Sequence, residues 1–123
     1  MNATVVVIPT YNERRNLPRL AERILALEPN FDILVVDDNS PDGTGQVADA
    51  LAATYPAVQV LHRPGKQGLG PAYIAGFQWA LKHGYPYICQ MDAGHSHSPD
   101  QLPDFLAAVQ EYDLVLGSRY VGG

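Results

Sequence analysis

The sequence lacks the features that mark three classes of protein. It has one cysteine, Cys89, so no disulfide can form within the chain, and a lone cysteine in a predicted strand is typical of a core residue. No run of five or more Lys and Arg residues occurs and the formal net charge is −5, which argues against a nucleic-acid-binding protein. The longest apolar runs have the length of a strand, so the sequence predicts no transmembrane helix.

The N-terminus also lacks the charged and apolar segments of a signal peptide. We therefore expect a cytoplasmic location, with membrane contact only at the periphery of the bilayer. What the sequence does contain is ordinary for a folded protein: 123 residues, of which 46% are hydrophobic and 17% charged. This composition predicts a single globular domain.

Alternating apolar and amphipathic segments predict an α/β fold. Five nearly continuous apolar runs are typical of strands covered on both faces: residues 4–8, 33–37, 58–62, 87–91 and 114–117. Between them, apolar residues recur at helical spacing in four segments: Leu17, Leu20, Ile24 and Leu27; Val47, Leu51 and Tyr55; Ile74, Phe77 and Leu81; Leu102, Phe105 and Val109. The alternation predicts an open, mostly parallel, Rossmann-like sheet with helices on both faces.

Polar clusters follow the predicted strands at their carboxyl ends. In chain order they are "PTYNE", "DDNSPDGTG", "RPGKQGLG", "DAGHSHSP" and "SRYVGG". Ligands of open parallel sheets bind outside the carboxyl ends of the strands, near the point where the strand order reverses. The concentration of polar clusters at the carboxyl edge therefore predicts a binding site.

The acidic pair in the second cluster gives the strongest of these signals. Asp37 and Asp38 end a buried strand, where an acid commonly binds the hydroxyl or ring N–H groups of a nucleotide, and either residue fits this role. Asp42 and Thr44, like Asn12 in "PTYNE", stand where a helix is expected to begin. Their alternative role is to cap that helix.

The remaining clusters each allow two interpretations. In "RPGKQGLG", Arg63 and Lys66 stand among glycines that let backbone amides approach an anion, but the segment is also typical of a flexible connection. Arg119 has the bidentate geometry that binds a diphosphate, but a solvent-exposed arginine is an equal alternative. Tyr11 could stack on a base, and Glu13 could accept a hydrogen bond from a hydroxyl group; an ordinary loop is the alternative for both.

The stretch "QMDAGHSHSP" is the candidate metal site. Asp92 follows the fourth predicted strand, and His95, Ser96 and His97 follow it closely. Asp92, His95 and His97 all carry metal-binding groups, whereas the alternative is an ordinary polar loop.

Five stretches together resemble family 2 glycosyltransferases with the GT-A fold. They are "VVIPTYNE", "VVDDNSPDGT", "HRPGKQGLGPAYIAGF", "QMDAGHSHSP" and "GSRYVGG". Their order and spacing are similar to the subgroup of polyprenol or dolichol monophosphate mannose synthases, across essentially the whole chain. The resemblance implies that residues 1–123 form the N-terminal, donor-binding portion of a catalytic domain that continues in other family members.

The resemblance also implies an activity and the residues for it. The reaction would move mannose from GDP-mannose to a polyprenyl or dolichyl phosphate at a membrane surface, with inversion. The implied nucleotide-sugar-binding residues are Pro9, Tyr11, Glu13, Asp37, Asp38, Asp42, Lys66, Asp92 and Ala93, and the implied catalytic residues are Asp92, Arg119 and Lys66. Because the acceptor phosphate is already anionic, a divalent cation (Mg²⁺ or Mn²⁺) and cationic side chains are needed mainly for the leaving diphosphate.

The metal motif departs from the family pattern. Family members usually read Asp-x-Asp, whereas this chain reads Asp92-Ala93-Gly94 and lacks the second carboxylate. We expect Asp92, the diphosphate and water to hold the cation, with Ser96, His95 or His97 as the alternatives that replace the missing ligand.

Three other functions stay open from the sequence. A related family 2 transferase would use a UDP-sugar, and a nucleotide-sugar-binding module would have little activity. A third alternative is an α/β domain whose polar edge binds a protein. If the domain ends at residue 123, we expect a second copy or a partner chain to cover its exposed apolar surface.

Overall fold

The computed structural model describes residues 2–27, 30–65, 68–91 and 93, and over these residues a parallel sheet carries helices on both faces. The strands are β1 (Thr4–Thr10), β2 (Asp32–Asp37), β3 (Val58–His62) and β4 (Tyr87–Gln90). The helices are α1 (Asn16–Leu25), α2 (Thr44–Thr54) and α3 (Leu69–Lys82). The strand order is β3-β2-β1-β4, and each pair is parallel. The predicted α/β fold is confirmed.

The observed strands follow the predicted ones closely. β3 has its predicted bounds. β2 begins one residue earlier than predicted, and β4 ends one residue earlier. β1 continues past its predicted end to Thr10, which pairs with Asp37 of β2. β1 thus carries the start of "PTYNE" to the carboxyl edge of the sheet. The predicted strand at residues 114–117 and the helical segment at 102–109 lie outside the described residues.

The strand order reverses between β1 and β4. From β1 the chain moves outward to β2 and β3, and β4 then returns to the other side of β1. The amide of Met91 donates to the carbonyl of Val7 at 3.0 Å, so the chain that leaves β4 reaches the same edge as the end of β1. This is the place where open α/β sheets bind ligands.

Hydrophobic side chains fill both faces of the sheet. Val6 and Ile8 of β1 pack with α1 and α2, whereas Val5 and Val7 face α3, as the alternation of a strand requires. Cys89 of β4 lies in the first of these cores and is 3% exposed, so the predicted core role is confirmed. Burial raises the pKa of its thiol to about 12.

The apolar residues that recur at helical spacing in α3 do not form its buried face. Ile74 and Leu81 are 57% and 66% exposed, whereas Phe77 packs against the core. The buried face consists instead of Ala72, Gly76 and Ala80, at a spacing of four residues. The large apolar residues are therefore displaced from the contact by small ones.

None of the helices in the described part of the chain is long and apolar enough to cross a bilayer.

Gly76 explains why small residues form this contact. A Cβ atom at this position would lie 2.5 Å from Cγ1 of Val7 and 3.2 Å from Cγ2 of Val36. Both valines are fully buried in the sheet, so neither can move away without disturbing close packing. The helix thus lies nearer to the sheet than a larger side chain permits.

Candidate functional site

The carboxyl edge of the sheet brings together predicted residues from distant parts of the sequence. The backbone continues the ladder beyond the strands: the amide of Asp38 donates to the carbonyl of Thr10 (3.2 Å), and the amide of Arg63 donates to the carbonyl of Asp37 (2.8 Å). The loops after β1, β2 and β3 are therefore joined at their bases. The predicted nucleotide-sugar-binding residues at this edge are Pro9, Tyr11, Glu13, Asp37, Asp38 and Asp42.

Asp37 is buried and its carboxylate is engaged by the protein. Oδ1 accepts hydrogen bonds from the hydroxyls of Thr10 (2.8 Å) and Ser40 (2.6 Å), and Oδ2 accepts one from the amide of Ser40 (3.1 Å). The side chain is 1% exposed. Oδ2 also lies 3.1 Å from where a Cβ on Gly45 would be, so glycine leaves room for the carboxylate at the start of α2. Asp37 thereby ties the end of β1 to the loop that follows β2.

Asp38 faces a different environment. Its Oδ1 lies 3.2 Å from Nη1 of Arg63, and the two side chains are 6% and 11% exposed. The contact is an ion pair without the direction of a hydrogen bond, because Oδ1 of Asp38 has no hydrogen-bond partner among the described residues. Guanidinium charge beside a carboxylate stabilises the ionised acid. Asp38 is thus held at the edge by an ion pair, whereas Asp37 is held by hydrogen bonds.

The loop after β1 is fastened to the loop after β2 by three consecutive amides. Each amide donates to a side-chain oxygen of "DDNSPDGT": Asn12 N to Ser40 Oγ (3.0 Å), Glu13 N to Thr44 Oγ1 (3.0 Å) and Arg14 N to Asp42 Oδ2 (3.3 Å). Asn12 and Asn39 adopt left-handed φ angles of 60° and 55°, which asparagine tolerates better than most residues. These two turns let the loops face each other.

Asp42 acts at the start of α2, as its capping alternative predicted. Gly43 occupies the N-cap position with φ 96°, and Asp42 Oδ1 accepts hydrogen bonds from both the amide (2.9 Å) and the hydroxyl of Thr44. Burial raises the pKa of Asp42, but these hydrogen bonds, the one from the Arg14 amide and the charge of Arg14 together outweigh it. The pKa of Asp42 therefore lies below its usual value.

The other predicted residues within the described part differ in exposure. Pro9 and Ala93 are buried, and Ala93 packs in the core beside Met91. Glu13 is half-buried; its Oε1 accepts a hydrogen bond from Asn16 Nδ2 (3.0 Å) and its carbonyl accepts one from the Leu17 amide (3.0 Å). Glu13 thus also supports the first turn of α1.

Six predicted residues belong to the part of the chain that the structure does not describe. Lys66, Asp92, His95, Ser96, His97 and Arg119 lie outside the described residues. Among the residues that are described, no three His, Cys, Asp or Glu side chains group together as metal ligands. The predicted catalytic and metal-binding roles stay predictions.

Sequence reasoning missed the hydroxyl groups of this edge. Thr10, Ser40 and Thr44 connect the acids to the loops, and none of them was a candidate for binding. Thr10 stands directly before Tyr11, and Ser40 and Thr44 flank Asp42, so their adjacency to predicted residues was the available signal. Each also has a partner 27 to 31 residues away that depends on the strand register, in addition to the local bonds of Ser40 to Asp37 and of Thr44 to Asp42.

The parallel sheet and its polar carboxyl edge define an open α/β domain, a class whose members bind ligands at the carboxyl ends of the strands. Residues 5–123 match the glycosyl transferase family 2, and the chain belongs to that family. The resemblance seen in the sequence is thereby confirmed.

Two relatives match nearly all of the chain. It is 56% identical over 119 residues to an undecaprenyl-phosphate mannosyltransferase of Micrococcus luteus, which covers 97% of this chain and 49% of the relative. It is 54% identical over 122 residues to a polyprenol monophosphomannose synthase of Mycolicibacterium smegmatis, covering 98% and 46% respectively. The chain thus spans about half the length of these two relatives.

A solved structure shares the fold. A mannosyltransferase of Pyrobaculum calidifontis, in complex with GDP-Man and Mn²⁺, superposes with a TM-score of 0.72. The similarity covers 87% of this chain and 32% of that protein, at 23% identity. The predicted GT-A type of α/β fold is confirmed by this likeness.

Proposed function

We propose that this chain is the donor-binding part of an inverting mannosyltransferase, which moves mannose from GDP-mannose to a polyprenyl phosphate. The observation that carries the proposal is the identity above 50% to two polyprenyl-phosphate mannosyltransferases over nearly the whole chain. The acidic carboxyl edge supports it, because that edge is where an α/β sheet of this order binds a nucleotide.

Asp38, rather than Asp37, is the acid that we propose for the nucleoside. The three hydrogen bonds to Asp37 come from the protein itself, and its side chain is 1% exposed. Asp38 makes an ion pair with Arg63 but leaves Oδ1 without a hydrogen bond among the described residues. A small movement of Arg63 would let this carboxylate accept from a ribose hydroxyl or a base N–H. Tyr11 and Glu13 would complete the pocket from the loop after β1.

The transfer needs stabilisation of the leaving diphosphate more than a base. A phosphate acceptor is anionic at neutral pH and attacks without losing a proton, while negative charge grows on the departing diphosphate. Lys66 and Arg119 are the cationic side chains that we propose for this charge. Both follow strands or strand-like runs in the sequence, as residues of this edge do.

A divalent cation fits the donor groups that the sequence offers shortly after β4. The amide of Met91 donates to the carbonyl of Val7 in β1, and the next residue in the sequence is Asp92, whose carboxylate is a ligand that a hard cation prefers. We propose that Asp92 holds the cation, with Ser96, His95 or His97 as further ligands. When bound, Mg²⁺ or Mn²⁺ would act as a Lewis acid that neutralises diphosphate charge. We also propose that the protein meets the membrane surface through its lipid acceptor.

Calorimetric titration with GDP, UDP and ADP, each with and without Mn²⁺, tests the proposed donor. We expect GDP to bind best and to bind more tightly with Mn²⁺. Preference for UDP would replace the proposed donor by a UDP-sugar, and no binding of any nucleotide would rule out the donor-binding function.

Transfer is tested separately with radiolabelled GDP-mannose and a short polyprenyl phosphate. Label that enters the lipid phase supports the mannosyltransferase. Absence of such label, from a chain that binds GDP, would leave only a nucleotide-sugar-binding module.

Asp92→Ala should remove the effect of Mn²⁺ on GDP affinity; an unchanged effect would show that Asp92 is not the metal ligand.

A further inference from the structure

We infer that Ser40, Asp42 and Thr44 are positioning residues of the nucleotide pocket. They hold Tyr11 and Glu13 at the sheet edge by binding the backbone of their loop, without contacting the nucleotide themselves. The inference rests on the proposed function, which gives the pocket its ligand. It also gives Asp42 a different role from the direct contact that the family resemblance implies.

The geometry of the hydroxyl groups supports this role. The Ser40 hydroxyl donates a hydrogen bond to Asp37 Oδ1 (2.6 Å) and accepts one from the amide of Asn12 (3.0 Å). A hydroxyl has one hydrogen and two lone pairs, so a carboxylate that accepts its hydrogen bond orients a lone pair towards the amide. Two acids thus fix the loop after β1 through two hydroxyl groups, because Thr44 repeats the arrangement.

Thr44 is the more buried of the two hydroxyl residues. It is 0% exposed, it donates to Asp42 Oδ1, and its Oγ1 accepts the amide of Glu13 at 3.0 Å. Removal of this oxygen would leave the Glu13 amide without its acceptor in a place that water reaches poorly. The position of Glu13, and of Tyr11 two residues before it, therefore depends on Thr44.

The same geometry limits what the loop can bind. Successive amides in a turn often form a concave site for an anion. Here the amides of residues 12–14 donate to oxygens of the protein, and one acceptor is the Asp42 carboxylate. The donor diphosphate must then find its positive partners elsewhere, and the loop contributes side chains to the pocket.

Thr44→Val tests the inference because valine keeps the shape of threonine and removes the acceptor. Thr44→Ser keeps the oxygen and is the matched rescue. Thr54→Val is the control at the other end of α2, where the exposed hydroxyl only donates to the Ala50 carbonyl (3.0 Å). Amide hydrogen exchange at residues 12–14 and the GDP dissociation constant are measured for each. We expect Thr44→Val to speed exchange at Glu13 and weaken GDP binding about 5- to 10-fold.

A double-mutant cycle separates positioning from a general loss of structure. Tyr11→Ala is made alone and together with Thr44→Val. If Thr44 acts through the loop, Tyr11→Ala should weaken GDP binding less in the Thr44→Val background than in the unmodified chain. A role in stability alone predicts that the two effects on binding are independent.

The outcomes distinguish this inference from the function on which it rests. Faster exchange with unchanged GDP affinity, or fully additive effects in the cycle, would overturn the positioning role while the proposed function stands. An unmodified chain that binds no nucleotide overturns both. If Thr44→Val does not fold, Ser40→Ala takes its place in every comparison, because that hydroxyl lies nearer the surface and binds the Asn12 amide.

Discussion

Both edges of the sheet bury an aspartate of β2, Asp37 at the carboxyl edge and Asp32 at the amino edge. Asp32 is 6% exposed, and its carboxylate accepts hydrogen bonds from the Tyr85 hydroxyl (2.5 Å) and from the amide (3.2 Å) and side chain (2.7 Å) of Asn2. Asp37 likewise accepts three hydrogen bonds. The number of bonds is equal, so burial and satisfaction alone do not distinguish the two edges.

The difference lies in what the bonded partners touch next. At the amino edge, Tyr85 belongs to a stack in which the Trp79 ring lies 6.2 Å from Tyr85 and 3.9 Å from His83. These rings and Asp32 line a pocket of about 450 Å³. At the carboxyl edge, Ser40 is bonded to Asp37 and also accepts a hydrogen bond from the Asn12 amide, so it fixes the backbone of the loop after β1. An acid that is bonded through a hydroxyl to a loop can shape a binding site, whereas one that closes a strand end stabilises the fold.

The largest expected contrast comes from Asp37→Asn. Asparagine keeps the shape but places an NH₂ group where one acceptor was, opposite groups that donate. We expect a loss of about 2 kcal/mol in the free energy of unfolding, together with a loss of GDP binding. Urea unfolding and calorimetry measure the two effects.

Asp32→Asn is the matched control for that change. It makes the same substitution at the other edge, and we expect a similar loss of stability with unchanged GDP affinity. Equal weakening of GDP binding by both variants would show that the two edges do not differ in the way described.

A smaller effect is expected for Tyr85→Phe at the amino edge. Loss of the hydroxyl removes one of three hydrogen bonds to Asp32, which should cost about 1 kcal/mol at pH 7. Burial, the hydrogen bond to Asp32 and the negative charge of Asp32 raise the pKa of Tyr85 above the value of 10.0 in unfolded chains. The contribution is thus complete below pH 10 and is lost as the pH rises through the higher folded value. The difference between the variant and the unmodified chain should shrink in urea titrations above pH 10; a difference that is constant with pH would contradict the assignment.

The smallest effect is expected for Asp42→Asn at the carboxyl edge. Asparagine still accepts from the Thr44 amide but turns its NH₂ group towards the Arg14 amide, and water can replace that lost bond at this exposed position, so stability at pH 7 should fall by only about 0.5 kcal/mol. Because the pKa of Asp42 is lowered from 3.8, its contribution is present above pH 3.8 and is lost as the pH falls through the folded value. Unfolding measured between pH 5 and about pH 2.5 should therefore show a flatter acid limb in the variant than in the unmodified chain. An equally steep limb would show that another carboxylate governs it.

Local patterns predicted the strands and the edge but not the order within that edge. Apolar runs identify β1 to β4 because strands covered on both faces need continuous apolar sequence. Which of Asp37 and Asp38 is engaged by the protein depends on Thr10 and Arg63, and these meet the acids only through the strand register. The contact of Asp37 with Ser40, three residues later, is local in the sequence, but the contacts with Thr10 and Arg63 are not.

The face of α3 was mispredicted for a related reason. Hydrophobic spacing favours Ile74 and Leu81 for the inner face, since large apolar residues gain most from burial. The distance between helix and sheet decides instead, and it admits only a hydrogen atom at Gly76. That distance is a property of the assembled sheet.

The buried cysteine provides a reporter that requires no engineering. Cys89 is the single thiol of the chain, it lies in β4, and burial raises its pKa to about 12. In the folded protein the thiol is both protonated and shielded, so a thiol reagent at neutral pH reacts only when this strand opens. The rate of labelling therefore measures how often β4, the strand before Asp92 in the sequence, opens. If GDP or Mn²⁺ slows the labelling, the ligand has made this opening less frequent.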